Sequence, residues 1–209
     1  SREAEDMIAA AQQARKRLFI GHCIRYWPVY AKAREIIRSG KYGKVISARF
    51  VRLSLTPTWS WDNWLLDAKR SGCAALDLHI HDADFVLYAF GAPKAVSSHC
   101  AGLKKGQADQ ILTSYEYGDG KLVTAEGGWV YAPGFGFQMQ FAVVMEKATL
   151  LCAPDLKLML HPVKGKSSEI AVSKMDGYAL ELRDFVSCLS TGKASKVVTP
   201  ESACQSVKL

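Results

Sequence analysis

Gly72-Cys-Ala-Ala-Leu-Asp-Leu-His-Ile-His-Asp-Ala-Asp-Phe85 sets Asp77, His79, His81, Asp82 and Asp84 within eight residues of an apolar frame. Two local geometries compete for it. On a helix, Asp77, His81 and Asp84 stand at i, i+4 and i+7 on one face, with His79 and Asp82 turned elsewhere. That gives one imidazole with a carboxylate beside it to orient it and raise its basicity. Such a histidine suits removal of a proton from an alcohol while hydride leaves the same carbon. On a strand, Asp77, His79 and His81 share a face, and the His79/His81 pair could ligate a metal. A hydrolase barrel built that way needs further ligands from later strands and about 250 residues. Only His99 and His161 remain downstream, and Phe85 to Tyr88 continue equally well as helix. The bland alternative is a buried helix start whose acids and histidines satisfy one another.

Upstream, Gly72 closes a stretch from Leu55 to Ser71 that contains Trp59, Trp61 and Trp64. Such a loop is either a cover on the core or the lip of a ligand site. Before it, the pattern predicts a helix over Pro28–Ser39, stopped by Gly40, and a strand over Val45–Ser54. The chain opens with a helix expected over Ser1–Arg17 and a short buried strand over Leu18–Gly21. Downstream of a helix at Ala75–Phe90, strands are expected at Lys94–Leu103, Ile111–Tyr117, Lys121–Val130, Phe137–Glu146 and Ala148–Ala153. Shorter ones follow at Lys157–His161 and Glu169–Val172. The turn between Tyr117 and Lys121 reads as a hairpin. Tyr178–Leu189 is the last full helix, and Thr199-Pro200-Glu201 looks like a cap and first turn. Strands joined in series by short turns build an antiparallel sheet. The expected class is α+β, with an open, mostly antiparallel sheet of roughly six to eight strands and helices on one face.

The 209 residues are 49% hydrophobic and 22% charged, which excludes disorder and low-complexity character. The formal charge of +7 invites a nucleic-acid reading, but the basic residues are dispersed, and the densest run, Arg15 to Arg17, fits a solvated helix end. Six cysteines without CxxC spacing suggest reduced, mostly buried thiols. No apolar run approaches the roughly 20 residues of a membrane span. A soluble, cytoplasmic protein is expected, with no nucleic-acid or membrane partner.

Gly72, Asp77, His81 and Asp84 fit a GxxxxDxxxHxxD pattern that resembles the catalytic segment of the glucose-fructose oxidoreductase, inositol dehydrogenase and MocA-like (Gfo/Idh/MocA) oxidoreductases. The resemblance extends over nearly the whole chain. SREAEDMIAAAQQ is similar to the helix after that family's EKP motif. LFIGHCIRYWPVY resembles its R-[FY]-x-P step through Arg25, Tyr26 and Pro28, and SGKYGKV its entry into the sheet domain. YALELRDFVSCLSTG resembles its late helix through Tyr178, Glu181 and Phe185.

The resemblance implies an NAD- or NADP-dependent oxidoreductase acting on a sugar, polyol or related hydroxy compound. It makes His81 the acid/base and Asp77 its helper in contact with substrate. It also implies a Rossmann domain for the dinucleotide, with substrate lying between the two domains. The sequence departs from the family in having no GxGxxG and no EKP. The expected organisation is therefore a tail of a dinucleotide domain at 1–27, a substrate and oligomerisation domain at 28–198, and the start of a truncated helix at 199–209. Both ends read as cut from something larger, so the chain alone is expected to be inactive.

Arg25 is a candidate for the substrate or nicotinamide, or simply the partner of a carboxylate. Asp84 is a further substrate-binding candidate on the helical face. Trp64 and Trp61 could stack on a sugar ring or cover the sheet. Tyr178 and Glu181 could border the site or pack. A homodimer or homotetramer through the open sheet face is expected. Two other readings stay open: a non-catalytic binding and oligomerisation module of the same fold, and a metal-dependent hydrolase using His79 and His81.

Overall fold

The computed structural model describes residues 1–209. Helix α1 (Arg2–Gln13) lies on the surface with none of its residues buried, and Ser1 makes no side-chain cap bond. It stops short of the expected Arg17 because Arg15 adopts a left-handed backbone (φ 52°). Leu18–Gly21 forms no strand. No strand lies beside it to complete a ladder, and Ile20 packs instead against Tyr26, Val198 and Ala203. A 3-10 turn at Cys23–Tyr26 leads into α2 (Pro28–Ser39). Pro28 begins that helix, where its missing N–H costs nothing, and Gly40 ends it in the left-handed conformation (φ 64°).

Strand β1 (Val45–Leu55) is followed by the tryptophan-rich segment, which holds 3-10 turns at Trp61–Leu66 and the short α3 (Ala68–Ser71). The expected helix over Ala75–Phe90 forms in two parts: a π turn at Ala75–His79 and α4 (Ile80–Phe90). Strands β2 (Ala95–Ala101), β3 (Gln110–Glu116), β4 (Leu122–Tyr131), β5 (Gln138–Met145), β6 (Ala148–Cys152), β7 (Leu158–Pro162) and β8 (Ser168–Glu169) succeed one another through short turns. Helix α5 (Gly177–Thr191) is capped by the Asp176 carboxylate. Helix α6 (Pro200–Lys208) begins with a reciprocal cap between Thr199 and Ser202 and buries Ala203, Cys204 and Ser206.

The eight strands form one sheet in the order β2-β3-β4-β1-β5-β6-β7-β8. Every neighbouring pair is antiparallel except β1 and β4. Their parallel pairing is possible because α3, α4 and two strands intervene, giving the long crossover that a parallel pair needs.

Register brings Phe50 of β1 opposite Ala125 of β4 and Phe141 of β5. These residues share the helix-covered face, where Tyr30 and Phe85 complete an aromatic core. The Tyr30 ring centroid is 4.9 Å from those of Phe85 and Phe141, and Phe50 is 5.5 Å from Phe85. Burying each such ring contributes roughly 1.5–3 kcal/mol. The alternate residues Met139, Phe141, Val143 and Met145 of β5 enter this same core. The opposite face is mixed, with Arg49, Thr124, Glu126 and Gln140 beside Val51 and Leu112. No helix is long and apolar enough to cross a membrane.

Candidate active site

Between the Cys23–Tyr26 turn, the start of α4 and the sheet lies a groove of about 300 Å³. Cys23, Trp27, Arg52, Asp77, His81 and Tyr178 supply its chemistry, and Met139 and Leu156 contribute apolar wall. The local chain explains how Asp77 and His81 come to share it. Gly72 is left-handed (φ 72°), where a β-carbon would come within 2.6 Å of the Leu76 side chain, and Cys73 is left-handed as well (φ 53°). This sharp entry opens into the π turn, a wide turn of the kind often found at functional sites.

Asp77 is half-buried, and burial alone pushes its carboxyl above the usual range. His81 has its Nδ1 buried without a hydrogen-bond partner. Burial pushes its pKa down to about 3, and the charge of Arg52 and the neighbouring His22 act in the same direction. The imidazole is therefore neutral near pH 7. This corrects the expectation of an imidazole made more basic by a carboxylate on its own helix face. The carboxylate that does oppose the drop is Asp84, and burial outweighs it.

Asp84 does not share the groove. It is fully buried and receives Arg25 Nε at 2.8 Å, Arg25 Nη2 at 2.6 Å and Ser206 Oγ at 2.6 Å. Arg25 spends its remaining fork on the Val197 carbonyl and Ser202 Oγ. Of the two roles open to Arg25, the structure places it as the partner of a carboxylate. The pair clamps the first 3-10 turn, α4 and α6 together. His22, to which the sequence assigned nothing, completes this corner: its Nε2 is 3.6 Å from Asp84, and its ring meets that of His81 edge to face at 6.4 Å.

His79 turns away from the groove. Its Nε2 is 2.8 Å from Thr113 Oγ1, and its Nδ1 side lies against Gly127, where a β-carbon would come within 2.8 Å. His79 and His81 thus serve different sides of a helical segment. The shared face that a His79/His81 metal pair requires does not form.

Tyr178 stands at the rim, more than half exposed, with its ring 5.9 Å from that of Trp27. Trp64 does not line the groove, and Trp59 and Trp61 are 78% and 80% exposed. Glu181 is buried with its Oε1 unpartnered, and burial pushes its carboxyl up to about 7.

Arg52 went unmarked in the sequence, although a signal existed. Ala48, Phe50 and Arg52 recur at period two, so the arginine had to face inward with the core. Its Nε and Nη2 donate to Asp82 at 2.7 and 3.0 Å. Met139 and Leu156 come from distant parts of the chain, and no local pattern announces them.

Residues 30–151 match the family model described as the GFO/IDH/MocA C-terminal domain. The chain is 27% identical over 188 residues to the scyllo-inositol 2-dehydrogenase (NAD(+)) of Bacillus subtilis (strain 168), covering 83% of this chain and 53% of that one. It is 30% identical over 125 residues to the 1,5-anhydro-D-fructose reductase of Ensifer adhaerens, covering 57% of this chain and 37% of that protein. Among solved structures, a levoglucosan dehydrogenase in complex with NADH and levoglucosan superposes with a TM-score of 0.79 at 17% identity, over 98% of this chain and 65% of that one. The chain thus spans about half the length, or less, of the relatives it matches by sequence.

Proposed function

This chain belongs to the GFO/IDH/MocA family through its C-terminal domain, and from that premise we propose that it forms the substrate-binding and proton-handling part of an NAD(P)-dependent oxidoreductase. The substrate class is a sugar, polyol or related hydroxy compound. The observation that carries the reading is that His81 and Asp77 line one groove. Relatives with curated activities act on a cyclic polyol and an anhydro sugar, compounds of that class.

In the oxidising direction, His81 accepts the proton of the reacting hydroxyl. A neutral imidazole is the form that can accept, and Nε2 is the nitrogen available, because Nδ1 is buried. Asp77 holds a neighbouring hydroxyl and offsets the positive charge that His81 gains. Positioned proton transfer of this kind contributes about 10²–10⁴ in rate. Nicotinamide, when bound, supplies or takes up the hydride. His22 Nδ1 and Glu181 Oε1 are buried without a partner, and a carboxamide could supply one to each, so these residues would border the nicotinamide end. The phosphate-cradling loop that a dinucleotide also needs is not in this sequence. We place it in a further domain of the enzyme, with 1–27 leading from it, 28–198 as the substrate domain and 199–209 closing on α4. Association through the open sheet face into a homodimer or homotetramer belongs to the same proposal.

The test uses the intact source protein with NAD+ and NADP+ and a panel of cyclic polyols and sugars, read by absorbance of the reduced nicotinamide. Turnover that disappears in His81→Asn supports the proposal. Equal turnover by wild type and His81→Asn, or none with any substrate, rejects it.

A further inference from the structure

Arg52 is 2% exposed and still lines the groove. A guanidinium carries five N–H donors, and a buried one normally gives each an oxygen. Here Nε and one Nη2 hydrogen go to Asp82, and Nη2 also reaches the Tyr30 hydroxyl at 3.3 Å. Nη1 has two hydrogens and meets only the Met139 thioether sulfur, at 2.8 Å. Thioether sulfur is a weak acceptor. The one poorly satisfied edge of this buried cation is therefore the edge that meets Met139, which lines the same groove.

The charge around that edge narrows what can occupy it. Arg52 is neutralised by Asp82 at 2.7 Å. His81 is neutral, and burial holds the Cys23 thiol and Tyr178 hydroxyl in their protonated forms. Among the lining residues, Asp77 is the remaining titratable group, and burial pushes its carboxyl above the usual range. The groove thus offers a strong donor without a free positive charge. We propose that Arg52 Nη1 donates to an uncharged oxygen of the substrate, a hydroxyl, ring or carbonyl oxygen. By doing so it selects a neutral sugar or polyol over the corresponding sugar acid, whose carboxylate would leave water for a groove with no unpaired cation to compensate it. This rests on the oxidoreductase reading only for the kind of substrate; binding itself does not require turnover.

Calorimetry on the intact protein compares matched pairs, D-glucose with D-glucuronate and D-galactose with D-galacturonate. The neutral member of at least one pair binds, and its acid binds at least about tenfold more weakly. Arg52→Lys keeps a charge beside Asp82 and removes the Nη1 donor. Met139→Gln, of similar length, gives Nη1 an amide oxygen inside the protein and so withdraws it from the ligand. Each substitution weakens binding of the neutral sugar about 10- to 100-fold, the range for a hydrogen bond to a charged group, and a cooperative thermal transition shows that Met139→Gln is folded. If Arg52→Lys fails to fold, Met139→Gln decides alone. Equal or tighter binding of the acids, unaltered binding by a folded variant, or binding of neither sugar overturns the proposal. Sugar binding that responds to both variants without nicotinamide reduction sustains it and rejects the oxidoreductase reading instead.

Discussion

Arg25 and Asp84, 59 residues apart, meet in a two-pronged ion pair that is closed to solvent on both sides, with Nε and Nη2 at 2.8 and 2.6 Å from the two carboxylate oxygens. A pair of this kind is weak evidence of net stability, because both charges leave water to form it. Removing one member is another matter, since it strands the other. Asp84→Ala leaves Arg25 charged and buried and also frees Ser206 on α6. It is expected to cost about 3–5 kcal/mol in a denaturant titration. A loss below about 1 kcal/mol would show that water reaches this corner.

His81→Asn should separate chemistry from folding. The imidazole has no hydrogen bond at Nδ1 to lose, so urea unfolding should move little. The turnover number should fall about 10²- to 10⁴-fold. An unchanged turnover number in the folded variant would remove His81 from the proton path.

Glu181 should give stability a slope with pH. Its carboxyl is pushed from 4.5 to about 7 in the folded chain by burial. The folded state therefore holds this proton more tightly than the unfolded state does. Below about pH 4.5 both states are protonated and the residue makes no difference. As pH rises to about 7 the unfolded chain gains the advantage, and the deficit then levels off. Glu181→Gln should accordingly stabilise the protein at pH 8 by up to about 3 kcal/mol and do nothing at pH 4. Equal effects at both values would mean that the carboxylate is already paired or hydrated.

Gly127 keeps a place for His79. A β-carbon there would stand 2.8 Å from Nδ1 and 2.9 Å from the histidine's own β-carbon. Neither neighbour is the loose end of a flexible chain. Gly127→Ala should cost about 1–3 kcal/mol by overpacking, read as a lowered thermal midpoint.

Much of the fold was legible because its signals are local. Pro28 and Gly40 bracket α2, Thr199 and Pro200 start α6, and the strands from β1 to β7 were marked to within a residue or two, while β8, expected at Glu169–Val172, forms only at Ser168–Glu169. Leu18–Gly21 misled for a physical reason: apolar composition favours a strand only where another strand is present to pair with it. The site was half legible. The spacing of Asp77 and His81 suggested one face, and they share one groove. The π turn changes the angular bookkeeping of the first helical residues, and no periodicity in the sequence announces it. Asp84 looked like a third member of that face, but its partner lies 59 residues away. Arg52 was readable from the period of its strand, yet its role depends on Asp82 and Met139, which only the tertiary fold brings to it.

The parallel pairing of β1 with β4 sets an order of assembly. β1 occupies the middle of the sheet, and both its neighbours, β4 and β5, come from far later in the chain. The hairpins β3–β4 and β5–β6 join strands that follow each other directly, and such local contacts close fast, whereas distant ones close slowly. During synthesis β1 emerges before the other strands and waits with both edges unpaired, an eleven-residue segment open to foreign strands. The central strand is the first to be made and the last to be enclosed, so the interval between those two events is when this chain is most exposed to aggregation.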